Sequence, residues 1–186
     1  AARAWSGNRS LAAMSAPTRY VASCDLGGSK AAVGIVDCAG RVLAQRRSLL
    51  DERRAPHEVA ALVAYELRLA AQQAGVDWRN ILGVGCGIAA MIDARREIVL
   101  SAPTIGGWRN IPFRALLAAA CELPVWLEMD VYAAALGEAW HGVGRGCGHF
   151  IYVVVGTGIG AGIVVDGRIL RGSRGTAGEF GHTVIV

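Results

Sequence analysis

Two stretches of the 186-residue sequence place a carboxylate beside groups that suit phosphate and hydroxyl chemistry. In the first, Asp25 ends a short apolar strand and is followed by the tight turn Gly27-Gly28-Ser29-Lys30. Paired glycines let backbone N–H groups approach an anion closely, and serine and lysine add a hydroxyl and a positive charge. A carboxylate at a strand end could also hold a magnesium ion through water. Alone, a glycine hairpin of this kind is more often only a turn.

The second stretch is centred on Asp130. The apolar run at 124–127 predicts a short buried strand, and the run at 133–136 has high helix propensity. Asp130 therefore lies where a strand is followed by a helix, which predicts an N-cap carboxylate. In open α/β sheets the carboxyl ends of the strands are also where ligands bind. An isolated aspartate in this position is more often a helix cap than a catalytic group.

A second glycine turn occupies residues 156–162. It follows one predicted strand, at 150–155, and leads into another, at 160–165. Because it does not lead into a helix, it is not the fingerprint of a nicotinamide dinucleotide site. Two units of strand, glycine turn and strand, one in each half of the chain, predict a duplicated fold that grips a polyphosphate.

The elements that must position these groups read in the order βββαβαβα, which predicts an α/β fold. This order places Asp25 and Asp130 at the carboxyl ends of strands that could lie side by side. The glycine-rich segment 142–148 predicts a hinge between domains. We expect a disordered leader at 1–19, an N-terminal α/β domain at 20–143, and the start of a second, truncated domain at 144–186.

Composition excludes several classes of protein. With 53% hydrophobic and 18% charged residues, the chain can bury a core. No apolar segment reaches the roughly 18 residues of a membrane helix. The net charge of +4 comes from scattered arginines, so we expect neither a nucleic-acid nor a membrane partner. The five cysteines are widely spaced without a C-x-x-C pair, which favours free thiols in a reducing cytoplasm.

Five segments in order resemble the ROK family (repressor, ORF, kinase) of sugar kinases, which has the actin-like ATPase (RNase H-like) fold. They are D-L-G-G-S-K at 25–30, G-G-W at 106–108, E-M-D-V-Y-A-A-A-L-G-E at 128–138, G-T-G-I-G-A-G-I-V-V-D-G at 156–167, and G-T-A-G-E-F-G-H at 175–182. The resemblance covers nearly everything from residue 20 onward. It implies a complete first domain and a second domain that has only begun.

The resemblance also implies roles for individual residues. Asp130 would be the general base of an ATP- and Mg²⁺-dependent, glucokinase-like sugar kinase. The two turns would bind the ATP phosphates; the residues concerned are Asp25, Gly27, Gly28, Ser29, Lys30, Gly156, Thr157, Gly158 and Gly160. The hexose or amino-hexose would contact Thr104, Gly107, Glu179 and His182. His182 would also be the first ligand of a structural zinc whose other ligands are absent from this chain. We expect a homo-oligomer when the protein is full length.

Some positions depart from the family pattern. Met129 and Thr104 replace two asparagines that normally contact the sugar, and Tyr132 stands where a small or amide residue is common. Met129 predicts either a high KM for common hexoses or a substrate that lacks the hydroxyl bound by the asparagine. Two alternatives stay open: a sugar-sensing transcriptional regulator and a catalytically inactive sugar-binding relative. About twenty residues precede the first strand, too few for a regulator's winged helix, which favours the kinase. We expect the 186-residue chain itself to be inactive and marginally stable, because its second domain is unfinished.

Overall fold

The computed structural model describes residues 19–51, 55–156 and 158–184. Within them the strands are β1 Tyr20–Leu26, β2 Lys30–Asp37, β3 Val42–Leu49, β4 Ile81–Ile88, β5 Met91–Ile92, β6 Val99–Ala102, β7 Trp108–Ile111, β8 Val125–Met129, β9 Phe150–Val155, β10 Ile159–Val165 and β11 Arg168–Ile169. The helices are α1 Pro56–Gln73, α2 Phe113–Cys121 and α3 Asp130–His141, with 3₁₀ turns at Trp78–Asn80 and Phe180–His182. Residues 1–18 of the predicted leader lie outside the described residues.

The main sheet has the strand order β3-β2-β1-β4-β8. The first three strands form an antiparallel meander, and β4 and β8 run parallel to β1. Side chains alternate between the two faces of a strand, so the register defines rows across the sheet. Cys24, Cys86 and Leu127 form one row, which is buried in the core. The next row, on the opposite face, is Asp25, Gly87 and Glu128.

Helix α1 forms because Pro56 fixes a helical first turn and Glu58 caps it by accepting the N–H of Ala55. Its buried side chains recur at helical spacing, and the helix packs on β1, β2, β3 and α2. Helix α3 lies on the other face, where a Cβ at Gly87 would be 3.5 Å from Ala133 Cβ. Helix α1 therefore covers one face of the sheet, and α3 covers the opposite face, which carries Asp25 and Glu128.

A small sheet, β5-β6-β7, follows β4. Strand β6 continues to Ala102 and β7 begins at Trp108, so the loop that carries Thr104 and Gly107 consists of residues 103–107. Trp108 is buried and packs against Phe113 with 5.1 Å between ring centroids. Because Ala102 on β6 pairs with Trp108 on β7, the two ends of the loop at 103–107 are held together.

The second glycine-rich hairpin belongs to a separate sheet with the order β11-β10-β9. Helix α3 contacts β9 and β10 as well as β4 and β8, so it lies between the two sheets. The close approach of α3 to β10 depends on Gly162, since a Cβ there would overlap Ala135 Cβ and lie 2.7 Å from Val131 O. The proposed boundary between residues 143 and 144 remains a prediction.

Three local expectations were wrong in detail. Asp25 lies inside β1, which continues to Leu26, and does not follow the strand. Asp130 is the first residue of α3, and Met129 is the N-cap. β1 and β8 are not adjacent, because β4 lies between them. In the described part of the chain, no helix is long and apolar enough to span a membrane.

Candidate active site

A cleft of about 1050 Å³ opens on the α3 side of the main sheet. Asp25, Gly87, Glu128 and Asp130 are among the residues that line it. Gly87 on β4 lies between Asp25 on β1 and Glu128 on β8, and neighbouring strands are about 4.8 Å apart. Because glycine has no side chain, a gap is left between these two acidic residues. The rest of the lining is mainly apolar and includes Trp126 and Trp140. The cleft therefore combines acidic groups with apolar walls, an arrangement typical of ligand sites.

Asp130 is positioned by the first turn of α3. One carboxylate oxygen, Oδ1, accepts the N–H of Val131 at 2.8 Å, and the residue is half-buried. Burial raises the pKa of this carboxyl above its ordinary value, and the negative charges of Asp25 and Glu179 add to the effect. The hydrogen bond from Val131 lowers the pKa, but burial outweighs it. A raised pKa makes Asp130 a stronger base than a solvated aspartate.

The first glycine turn is tight and packs against the loop at 103–107. Gly27 N–H donates to Lys30 O at 3.0 Å, and a Cβ at Gly28 would lie 2.6 Å from Thr104 O. Ser29 and Lys30 are exposed. The structure therefore brings together two of the predicted site segments, and it shows that Gly28 is needed for this close approach.

Glycine in the second turn serves two purposes. Gly156 N–H donates to Gly158 O at 2.9 Å, and nothing lies within 4 Å of a Cβ built at either residue. This open backbone could admit a phosphate. Gly160 is half-buried, and its Cβ would lie 3.3 Å from a methyl group of Val131, so it has a packing role against α3. The predicted site residue Thr157 lies outside the described residues.

The segment at 175–182 lies beside the first turn of α3, where Tyr132 contacts Gly175 and Ala177. Glu179 is half-buried and close enough to Asp130 to raise its pKa. Its carboxylate lies 3.8 Å from Nε2 of His182, which is exposed. Gly107, the other predicted sugar contact, adopts a positive φ of 64° in the exposed loop near Thr104. The predicted base Asp130 and the predicted sugar contact Glu179 are therefore close enough to interact electrostatically, and their roles stay predictions.

Zinc binding by His182 is not supported by a complete ligand set. Among residues 19–51, 55–156 and 158–184, no three or more His, Cys, Asp or Glu side chains are grouped so that they could hold a metal ion. His182 alone cannot build a four-ligand site. The zinc ligand therefore stays a prediction.

An ion-pair cluster of Glu128, Arg96 and Arg171 lies at the wall of the cleft and was not predicted from the sequence. Glu128 binds the guanidinium of Arg171 through Oε2, and Arg96 lies 3.6 Å from the same oxygen. Glu128 belongs to the quoted segment at 128–138, but no local pattern points to a partner more than forty positions away. Only the three-dimensional structure, which brings the residues after β11 beside β8, reveals this contact.

The parallel strands, the crossover helix and the cleft beside it define an actin-like ATPase fold. The chain belongs to the ROK family, whose family model matches residues 21–186. Both the predicted family and the predicted fold are therefore confirmed.

Relatives within the family include kinases and repressors. A glucokinase of Streptomyces coelicolor is 35% identical over 162 residues, which are 87% of this chain and 49% of the relative. A xylose repressor of Caldicellulosiruptor bescii is 41% identical over 107 residues, 58% of this chain and 27% of the relative. The structure of a ROK family glucokinase from Streptomyces griseus with glucose and AMPPNP has a TM-score of 0.75, with 35% identity over 90% of this chain and 51% of that one. The chain spans about half the length of the glucokinases it matches.

Proposed function

We propose that the full-length protein transfers a phosphoryl group from ATP to a hydroxyl of a hexose or amino-hexose. The observation that carries the proposal is the position of Asp130, which has a raised pKa and lies in a cleft close to Glu179 and Asp25. The glucokinase relatives support it, because one of them was crystallised with glucose and an ATP analogue. Phosphoryl transfer depends mainly on positioning and on stabilising charge, so an aspartate is a sufficient base.

Each group would then have the role that the resemblance to the family implies. Asp130 accepts the proton of the attacking hydroxyl, while Glu179, His182, Thr104 and Gly107 contact the sugar. The open backbone at Gly156 and Gly158 and the turn at 27–30 fit phosphate oxygens, and Asp25 fits a hydrated magnesium ion. When bound, MgATP supplies the phosphoryl group. The protein would act in the cytoplasm as a homo-oligomer.

The second candidate function is sugar sensing by a transcriptional regulator. The similarity to a xylose repressor favours it, because this relative has the highest identity of the three compared above. In a regulator, Asp130 and Glu179 would bind sugar hydroxyls without any proton transfer. A catalytically inactive sugar-binding protein would use the same contacts.

Calorimetric titration of the full-length protein with glucose and with AMPPNP separates these functions. The kinase proposal predicts that both ligands bind, and that magnesium strengthens nucleotide binding. Sugar binding without any nucleotide binding would favour the regulator or the inactive relative.

The pH dependence of the reaction should reflect the raised pKa of Asp130. A general base works when deprotonated, so kcat/KM should be full above this pKa and fall as the pH drops through it, at a pH above the ordinary aspartate value of about 4. Because Glu179 contributes to the raised pKa, Glu179→Gln should move the acidic limb to lower pH. Glu122→Gln, at an exposed carboxylate on α2's C-terminal side, is the matched control. If the acidic limb of the kcat/KM profile stays at the same pH in Glu179→Gln, Asp130 is not the general base whose pKa sets that limb.

Met129 provides a separate test of the sugar site. Its side chain is 5% exposed and shares the buried face of β8 with Val125 and Leu127. This face is opposite the one that carries Asp25 and Glu128, so the structure does not place Met129 in the cleft. We therefore expect Met129→Asn to leave the KM for glucose nearly unchanged, contrary to the expectation from the sequence. The variant should lose about 1–3 kcal/mol of stability, the cost of burying an unsatisfied amide.

Kinetics and thermal melting measure the KM and the stability, and Met129→Leu is the control of similar volume. If the KM for glucose falls several-fold in Met129→Asn, the side chain at this position reaches the sugar and the expectation is wrong.

A further inference from the structure

Tyr132 makes a buried contact that the proposed reaction does not use. It lies in the first turn of α3, two residues after Asp130, and is 1% exposed. Its hydroxyl donates to Ala177 O at 2.7 Å, while Gly175 O lies 3.3 Å away. A phenol has one proton to donate, so the shorter contact is the principal bond. The helix that carries Asp130 is thereby attached to the segment that carries Glu179.

The segment held by Tyr132 has little regular structure of its own. Residues 170–178 form neither helix nor strand, and Gly172, Gly175 and Gly178 all adopt positive φ angles of 71°, 75° and 90°. Two backbone bonds help to fix it: Ala177 N–H donates to Arg171 O at 3.1 Å, and Gly178 O accepts the N–H of Ala161 at 2.8 Å. With so few internal bonds, its position depends on contacts with its neighbours.

A second contact fixes the start of the same segment. The guanidinium of Arg171 lies over the ring of Tyr132, 5.9 Å from its centroid, and binds Glu128 on β8. Tyr132 therefore touches the segment at both ends: its ring faces Arg171, and its hydroxyl reaches Ala177. Glu179 follows only two residues later. This arrangement links β8 and α3 to the position of Glu179.

We propose that Tyr132 is a positioning residue that holds the segment 171–178 so that Glu179 faces the sugar beside Asp130. The proposal rests on the proposed function for the role of Glu179. Removing the hydroxyl leaves the part-buried oxygen of Ala177 without its donor, so the segment loosens and Glu179 is held less firmly. Asp130 and the glycine turns keep their own contacts, so sugar binding should suffer and catalysis at saturation should not.

Hydrogen exchange on the 186-residue chain tests the contact independently of any reaction. Tyr132→Phe keeps the ring and removes only the hydroxyl, and Tyr65→Phe on α1, at a residue 60% exposed, is the matched control. We expect the Ala177 amide to exchange about tenfold faster in Tyr132→Phe, since a net hydrogen bond is worth about one factor of ten. Unchanged exchange at Ala177 would overturn the proposal.

Steady-state kinetics of the full-length protein test the consequence for the site. Tyr132→Phe should raise the KM for the sugar about tenfold and leave kcat and the KM for ATP within about twofold. A change confined to thermal stability, with the sugar KM unaltered, would overturn the positioning role. If the wild-type protein shows no ATP turnover, the proposed function fails, whereas the exchange result still decides whether Tyr132 holds the segment.

Discussion

Asp130→Asn in the full-length protein is expected to lower kcat by about 10²- to 10⁴-fold, the usual contribution of a general base. Asparagine has nearly the same shape and can still accept the N–H of Val131, but it cannot take the proton of a sugar hydroxyl. The KM for the sugar should change little, because the amide still forms hydrogen bonds. Steady-state rates at saturating hexose and MgATP measure the effect.

The same substitution should not weaken the fold at neutral pH. A carboxyl whose pKa is raised by folding stabilises the native state at low pH, and this contribution is lost as the pH rises through the raised pKa. Removing the charge at neutral pH therefore removes a cost. Asp77→Asn is a contrasting control: hydrogen bonds from Arg79 lower the pKa of this exposed carboxyl to about 2, so removing its charge should slightly weaken the fold at neutral pH. Near-normal turnover by Asp130→Asn would reduce Asp130 to a helix residue without catalytic function.

Gly162→Ala should give the second large effect, on stability. The new methyl group would overlap Ala135 Cβ and lie 2.7 Å from the backbone oxygen of Val131, so α3 must move away from β10. Overpacking of this kind costs about 1–3 kcal/mol. For a chain of this size the melting temperature should fall by about 2–4 °C per kcal/mol.

Gly137→Ala is the matched control in the same helix. Nothing lies within 4 Å of a Cβ at Gly137, so alanine should stabilise the helix by about 0.5–1 kcal/mol through its higher helix propensity. Thermal melting of the 186-residue chain and its two variants compares them directly. Equal melting temperatures for Gly162→Ala and the wild type would mean that α3 and β10 are not packed as described.

Much of the main domain could be predicted because its signals are local. Short apolar runs predict the strands at 124–127 and 150–155, which the structure shows as β8 at Val125–Met129 and β9 at Phe150–Val155. The glycine turns were also evident as turns. Asp25 and Asp130 line one cleft, but the expectation that their strands could lie side by side was wrong, because β4 separates β1 from β8.

The remaining features depend on contacts between distant parts of the chain. The glycine pattern does not show whether Gly160 and Gly162 leave room for a phosphate or for the close packing of a helix. The answer depends on which face of β10 packs against α3. The pairing of Glu128 with Arg171 has no local signal either. Tyr132 looked like a departure from the family pattern, and only its buried bond to Ala177 gives it a structural reason.

The most direct test is to follow the phosphoryl group itself. The full-length protein is incubated with glucose and MgATP that carries an isotopic label in the γ-phosphoryl group, and the sugar is then separated and analysed by mass spectrometry. Our account predicts labelled sugar phosphate from the wild-type protein, and a yield at least about 10²-fold lower from Asp130→Asn. Sugar that binds to the protein but never acquires the label, at any hexose or amino-hexose tested, would contradict the kinase assignment.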